Sequence, residues 1–220
     1  RKNRSKREHS RLHQTFYGSP WLYIGSVFLM ILTSFYFSVG GLLVLCIYGL
    51  HRYAQVSSRY RMSFRQFGKD AVAFLLPLVT AVCMSAFLLV PTAYALAGKR
   101  EAAQAPSLAA LLTPDFYDFR LFYNSYGIGL TAFAAAALLA GCCWKKAENR
   151  ILIWSCIAVL LLPVFPWILN GGLYPRDKAL IPFLPLLCYV TAIYAKRLQE
   201  GRRDGGAVPY ILVAALLVWG

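Results

Sequence analysis

Two basic side chains beside a pair of glycines are the residues whose types and spacing most suggest chemistry. The stretch Asn170 to Lys178, NGGLYPRDK, places Arg176 and Lys178 directly before an apolar run. A guanidinium is a planar fork that suits phosphate, and an ammonium supplies a point charge. Gly171 and Gly172 leave backbone amides able to approach a ligand closely. These residues predict an anion site. A turn whose charges extend to water is the equally weighted alternative.

Other catalytic signatures are weak or missing. Asp115 and Asp118 could form an acid–base pair, although loop carboxylates are more often simply solvated. The sequence has no HExxH, no P-loop, no dinucleotide fingerprint and no Gly-x-Ser-x-Gly. Its six cysteines show neither disulfide-framework nor zinc spacing, so no metal site is predicted from the sequence.

The composition identifies the setting of these residues as a membrane. The 220 residues are 59% hydrophobic with a mean hydropathy of +0.53, and only 15% are charged. A soluble domain has roughly 25% charged residues. Several apolar runs reach the roughly 17 to 25 residues that cross a bilayer. The net charge of +14 lies in short loops between apolar runs, which argues against nucleic acid as a partner.

The apolar runs predict an all-α fold, a polytopic bundle of about six full transmembrane helices plus a truncated seventh. The first run, residues 21–54, is too long for one helix across a hydrocarbon core of roughly 30 Å. Two short helices with a turn near Ser34 to Ser38, forming a hairpin, fit it better. The remaining predicted helices span residues 71–97, 127–144, 151–169, 179–195 and, truncated, 209–220.

Loop charges set the predicted orientation. With the hairpin, the basic segment 1–20 and most of the other basic residues fall on one side, which the positive-inside rule makes cytoplasmic. His51 is then expected among the cytoplasmic headgroups. The loop 98–126 and the stretch NGGLYPRDK are extracytoplasmic. Within that loop, Pro106 and Ser107 could begin a short amphipathic helix. Its aromatic later part is either an interfacial belt or a lid over a site.

Four stretches, in order, resemble one known family. They are SFYFSVGGLLVLCIYGLHRYA (34–54), AFLLVPTAYAL (86–96), FYNSYGIGLTAF (122–133) and LNGGLYPRDKALIPFLPLL (169–187). This series resembles the YfhO family of bacterial membrane proteins, which is similar to GT-C-type glycosyltransferases. The sequence begins without methionine and ends inside an apolar run. We therefore expect it to be an internal piece of a longer GT-C-like protein in the bacterial cytoplasmic membrane.

The resemblance implies a function. Such an enzyme moves a sugar from a polyprenyl-phosphate carrier, its donor, to a cell-envelope polymer such as teichoic acid on the outer face. The partners are membrane lipids, the lipid-linked sugar and the polymer acceptor, with a divalent metal as a possible cofactor. The donor phosphate would be held by Asn170, Gly171, Arg176 and Lys178, with Tyr174 of the same loop. In GT-C enzymes the usual general base is an aspartate of the first extracytoplasmic loop, which we expect to lie upstream of Arg1.

Two other functions stay open on the residues alone. A flippase or transporter of lipid-linked sugars needs polar or charged residues buried within its helices. The sequence offers few, namely Thr80, Ser85, Thr131 and Ser155, and no mid-helix carboxylate, which favours the enzyme. A non-catalytic membrane assembly protein is the third alternative.

Overall fold

The computed structural model describes residues 19–60, 64–97, 106–114, 127–144, 147–172 and 175–201, together with 211 and 214. Every regular element in these ranges is helical, which confirms the all-α fold class. In chain order they are α1 (Pro20–Thr33), α2 (Phe35–Tyr60), α3 (Phe64–Met84), α4 (Ala86–Ala97), α5 (Leu108–Leu112), α6 (Ala132–Cys142), α7 (Ala147–Leu161), α8 (Val164–Leu169), a 3-10 helix (Asp177–Phe183) and α9 (Leu184–Gln199). The basic segment 1–20 and the truncated helix 209–220 lie almost wholly outside the described residues.

Three helical stretches are long and apolar enough to cross a membrane. They are Phe35–Ser57, Arg65–Met84 and Asp177–Gln199, the last combining the 3-10 helix with α9. Four more apolar helices in the described ranges are shorter: Pro20–Thr33, Ala86–Ala95, Ala132–Cys142 and Asn149–Leu161. The chain is therefore a helical membrane protein. The count of six or seven crossings stays a prediction.

The first apolar run is divided at Ser34, whose backbone is extended at φ −155° and ψ 100°. The helix before it has 14 residues, or about 21 Å, which is shorter than a hydrocarbon core. The helix after it is longer than expected and continues to Tyr60. A side-chain hydrogen bond from Arg52 to Gln55 (2.7 Å) supports this polar extension. Hydropathy does not predict it, because the added residues are polar. The reversal of direction that makes a hairpin stays a prediction.

The helix predicted over 71–97 is two helices with a different start. It begins at Phe64 and is interrupted at Ser85, where α3 ends and α4 begins. The hydroxyl of Ser85 donates to the Ala81 carbonyl at 2.9 Å, a back-bond that competes with the backbone ladder and bends helices. Ser85 is fully buried, so the interruption lies inside the packed part of its unit.

The chain divides into two compact units. The first contains α1, α3 and α4. In it α1 packs along α3, with Tyr23 against Phe74 at a centroid distance of 5.7 Å. Val27 and Ile31 of α1 and Ala81 of α3 are buried between helices. Much of the remaining apolar surface of α3 and α4 is exposed, as expected of helices that face lipid.

The second unit contains α2 and all described elements from α5 onward, and holds the larger core. Its centre is the alanine-rich α6, which packs on α7 and α9. In a bilayer the lipid tails are as apolar as the side chains, so helices associate mainly by close packing, which small residues allow. The closest approach is at Gly141, where an added Cβ would lie 2.5 Å from Ile153 Cδ1.

Contacts within the second unit fix the relative direction of α2 and α9. The start of α2 reaches Asn170 through Tyr36, and Gly40 lies against Pro182. Further along both helices, the ring of His51 contacts that of Tyr189 at a centroid distance of 5.8 Å. The two helices therefore run parallel, and their basic C-terminal ends lie toward the same end of this unit.

Candidate functional site

The helix α8 ends in a turn that explains the two glycines, and we call residues Asn170 to Gly172 the NGG turn. The amide of Gly172 donates to the Trp167 carbonyl at 2.9 Å, and that of Gly171 to the Ile168 carbonyl at 3.0 Å. The φ angles of Gly171 and Gly172 are +73° and +75°. This is the Schellman helix end, which requires a left-handed residue that glycine adopts without a Cβ clash.

The side chain of Asn170 is held inside the protein. It is only 3% exposed, and its Oδ1 accepts a hydrogen bond from the hydroxyl of Tyr36 at 3.3 Å. Tyr36 lies in the first turn of α2, far from Asn170 in sequence. A buried amide left without partners would cost about 1 to 3 kcal/mol. The contact therefore ties the NGG turn to the start of α2.

The 3-10 helix that follows is anchored by its inward residues. Ala179, Leu180 and Phe183 are buried, and the Gly40 backbone of α2 lies directly against this segment. A Cβ added at Gly40 would lie 2.9 Å from Pro182 Cγ and 3.3 Å from the Ala179 carbonyl oxygen. Glycine is therefore required at position 40 for the close approach of α2 to the 3-10 helix.

The two candidate cations begin this anchored segment. Arg176 is the residue before the 3-10 helix, and its carbonyl accepts from the Ala179 amide at 3.0 Å. Its side chain is exposed, whereas Asp177 and Lys178 are partly buried. A guanidinium carried between two packed stretches, the NGG turn and the 3-10 helix beside Gly40, is suited to bind an anion.

The structure changes the role that the sequence suggested for the glycines. We expected Gly171 and Gly172 to offer free backbone amides to a ligand, but both amides are used by the end of α8. Their function in the fold is to turn the chain. Asn170 is likewise a buried anchor of the turn. Arg176 and Lys178 keep the anion-binding hypothesis, which stays a prediction.

Several predicted features lie outside the described residues. Asp115, Asp118 and Tyr174 are among them, as are most of the loop 98–126 and its aromatic part. The described section of that loop does contain the expected short helix, α5, whose Ser107 cap accepts from the Ala110 amide at 3.2 Å. This helix packs against α8, so residues 106–114 lie beside the helix that leads into the NGG turn.

Metal-binding side chains are not clustered in the part of the chain that the structure describes. Across those ranges, no group of three or more His, Cys, Asp or Glu side chains could hold an ion.

Trp167 is a site residue that the sequence did not single out. A Cβ added at Gly172 would lie 3.6 Å from Cζ2 of its ring, so the indole borders the NGG turn. Its Nε1 is buried and has no hydrogen-bond partner among the described residues. Trp167 belongs to an apolar run, where a tryptophan indicates only hydrophobic packing. No sequence signal marks it.

His51 differs from its expected location among headgroups. It is fully buried in the second unit. Its Nε2 lies 3.0 Å from Gln55 Nε2 and 3.5 Å from the Tyr189 hydroxyl. Because Arg52 donates to Gln55 Oε1, the amide nitrogen of Gln55 faces the ring and the His51 Nε2 accepts.

Comparison with known proteins places the chain in a family. The family model described as "Bacterial membrane protein YfhO" matches residues 12–125, more than half of the 220 residues. No curated protein and no solved structure matches the chain. The matched region covers α1 to α5 and ends before the NGG turn, so the candidate site lies beyond it. The chain belongs to the YfhO family of bacterial membrane proteins.

Proposed function

We propose that this chain is part of a membrane glycosyltransferase that moves a sugar from a polyprenyl-phosphate carrier to a cell-envelope polymer. In this proposal the NGG turn and Arg176 lie at the outer face of the cytoplasmic membrane, where Arg176 and Lys178 hold the carrier phosphate. Membership of the YfhO family supports the membrane setting. The resemblance of that family to GT-C enzymes supports the reaction class.

The observation that carries the proposal is the anchoring of the segment that bears Arg176. The chain before it is held by the Tyr36–Asn170 hydrogen bond, and the chain after it by the contact of Gly40 with Pro182. A cation that is already in place stabilises developing negative charge without reorganising at the moment of reaction.

The proposed chemistry needs a fixed cation near the leaving group. When the sugar leaves its carrier, the bridging oxygen stays with the phosphate, which gains negative charge. An arginine beside that phosphate binds the transition state more tightly than the ground state, and this difference accelerates transfer. In the proposal the acceptor approaches from the side of α5, which packs against α8.

The decisive experiment is Arg176→Ala in the full-length protein, with transfer of a labelled sugar from its polyprenyl-phosphate carrier as the measurement. Removing one such contact is expected to slow transfer about 100- to 1,000-fold. Arg176→Lys, which keeps the charge and loses the fork, should retain intermediate activity. Arg65→Ala removes another exposed arginine, in α3, and is the matched control. Wild-type transfer by a membrane-inserted Arg176→Ala protein would sink the proposal.

One observation favours translocation of the lipid-linked sugar as a second candidate function. His51 is fully buried within the candidate span Phe35–Ser57 and is surrounded by Gln55 and Tyr189. Buried polar groups in membrane helices often mark a transport path. The same preparations discriminate the two. In vesicles that lack acceptor, the wild type would move labelled lipid-linked sugar across the membrane and His51→Leu would not. This result would favour the flippase over the transferase.

A further inference from the structure

The helix α7 has one buried face and one exposed face. One face, formed by Leu152, Ile153, Cys156 and Val159, is buried in the core of the second unit. The other is exposed to the surroundings, with Ile151 48% and Trp154 57% exposed. Both faces are apolar, so polarity does not separate them. An exposed apolar face on a membrane protein helix is one that meets lipid tails or another apolar surface.

The exposed face carries a shallow, open groove. We call it the α7 groove. Its volume is about 570 Å³, and it is lined by Arg150, Ile151, Trp154, Ser155 and Ala158. These residues follow helical spacing, so the small Ser155 and Ala158 lie between larger neighbours. The groove thus has one cation at its beginning and an apolar, partly aromatic length of about two turns.

Arg150 is available to an external anion. Its side chain is exposed, and no residue within the described ranges forms an ion pair or hydrogen bond with it. It lies in the first turn of α7, just after the end of α6. At that end of the unit the guanidinium of Arg197 stacks over the ring of Trp144 at 4.5 Å. Arg150 therefore belongs to the basic end of the second unit.

We propose that the α7 groove binds an anionic phospholipid of the bilayer, with Arg150 on the phosphate and an acyl chain along Ile151, Trp154 and Ala158. Charge complementarity favours this occupant, because the chain carries +14 overall and this groove begins with an exposed arginine. Basic side chains at the ends of membrane helices attract anionic headgroups, and tryptophan favours the same interfacial depth.

The test uses Trp154 as the reporter in the full chain reconstituted into bilayers. Brominated phosphatidylglycerol and brominated phosphatidylcholine are added in parallel at equal mole fractions, and tryptophan fluorescence is measured. Subtracting the signal of Trp154→Phe isolates Trp154. One arginine near the membrane surface should make quenching by the anionic lipid half-maximal at an about fivefold lower mole fraction. Raising the salt concentration should reduce this preference.

Variants separate Arg150 from general basicity. Arg150→Gln should bring the two lipids to equal quenching. Arg150→Lys keeps the positive charge and should keep most of the preference. It tests the proposal even if the glutamine variant loses its helix content. Arg65→Gln is the matched control and should leave the preference unchanged. Equal quenching in the wild type, or a preference that survives Arg150→Gln, would overturn the proposal. Absence of quenching by either lipid would mean that a second copy or another protein covers the groove.

Discussion

Replacing Gly40 by alanine is the sharpest test of the packing that positions the candidate site. The new Cβ would lie 2.9 Å from Pro182 Cγ, 3.2 Å from Pro182 Cβ and 3.3 Å from the Ala179 carbonyl oxygen. Neither neighbour can move easily, because one is a proline ring and the other is backbone. The 3-10 helix must therefore shift away from α2.

Two opposing free energies decide the size of the effect. Alanine stabilises a helix interior by about 1 kcal/mol relative to glycine. Overpacking against rigid neighbours costs about 1 to 3 kcal/mol. We therefore expect Gly40→Ala to lower the free energy of unfolding by as much as about 2 kcal/mol. At Gly25 and Gly68 an added Cβ meets no atom of the described residues within 4 Å, so alanine there should be neutral or stabilising.

The measurement is unfolding in mixed micelles titrated with a denaturing detergent, followed by helix content, for the three alanine variants beside the wild type. The comparison cancels the intrinsic helix preference, because all three glycines lie within helices. The variants should differ by about 1 to 3 kcal/mol, with Gly40→Ala the least stable. If Gly40→Ala were as stable as Gly68→Ala, α2 and the 3-10 helix would not be in close contact, and the anchoring argument would fail.

Three further predictions concern the packing at Gly141, the NGG turn and the orientation in the membrane. Gly141→Ala should destabilise the protein by about 1 to 3 kcal/mol, because the new Cβ would clash with Ile153. A double-mutant cycle of unfolding free energies with Ile153→Ala should show a coupling of at least about 1 kcal/mol. Purely additive losses would contradict the contact. Gly171→Ala should cost about 1 to 2 kcal/mol because its φ is +73°, and Gly171→Asn should cost less; equal stability of the alanine variant and the wild type would contradict the turn. In a cysteine-free background, a membrane-impermeant thiol reagent should label Arg176→Cys on intact cells and Arg59→Cys only after permeabilisation. The opposite labelling pattern would reverse the predicted orientation.

The helical fold could be predicted because its signals are local. Apolar runs of membrane length predict helices without any knowledge of tertiary contacts, and the break near Ser34 and the helix started by Ser107 also follow from local chemistry. Boundaries were less accurate where polar residues continue a helix, as α2 does beyond residue 54. The interruption at Ser85 had no sequence signal, because serine is common within membrane helices.

The structure of the candidate site could be predicted only in part. Arg176 and Lys178 stand out because charges are rare in this chain. The uses of the glycine amides and of Asn170 depend on contacts with α8 and with Tyr36, which lies 134 residues away. His51 shows the same limit. Its burial depends on Tyr189, 138 residues further along the chain. Hydropathy averages over neighbours in sequence and carries no information about partners at such separations.

The second unit is discontinuous in sequence, and this affects how the protein is made. α2 is synthesised after α1, then α3 and α4 of the first unit follow, and α9 comes later still. At about 5 to 20 residues per second, Tyr189 leaves the ribosome about 7 to 28 s after His51. During that interval α2 exposes a histidine, Tyr36 and a bare glycine backbone without their final neighbours. We therefore expect the insertion machinery or a membrane chaperone to cover these groups of α2 until α9 is synthesised.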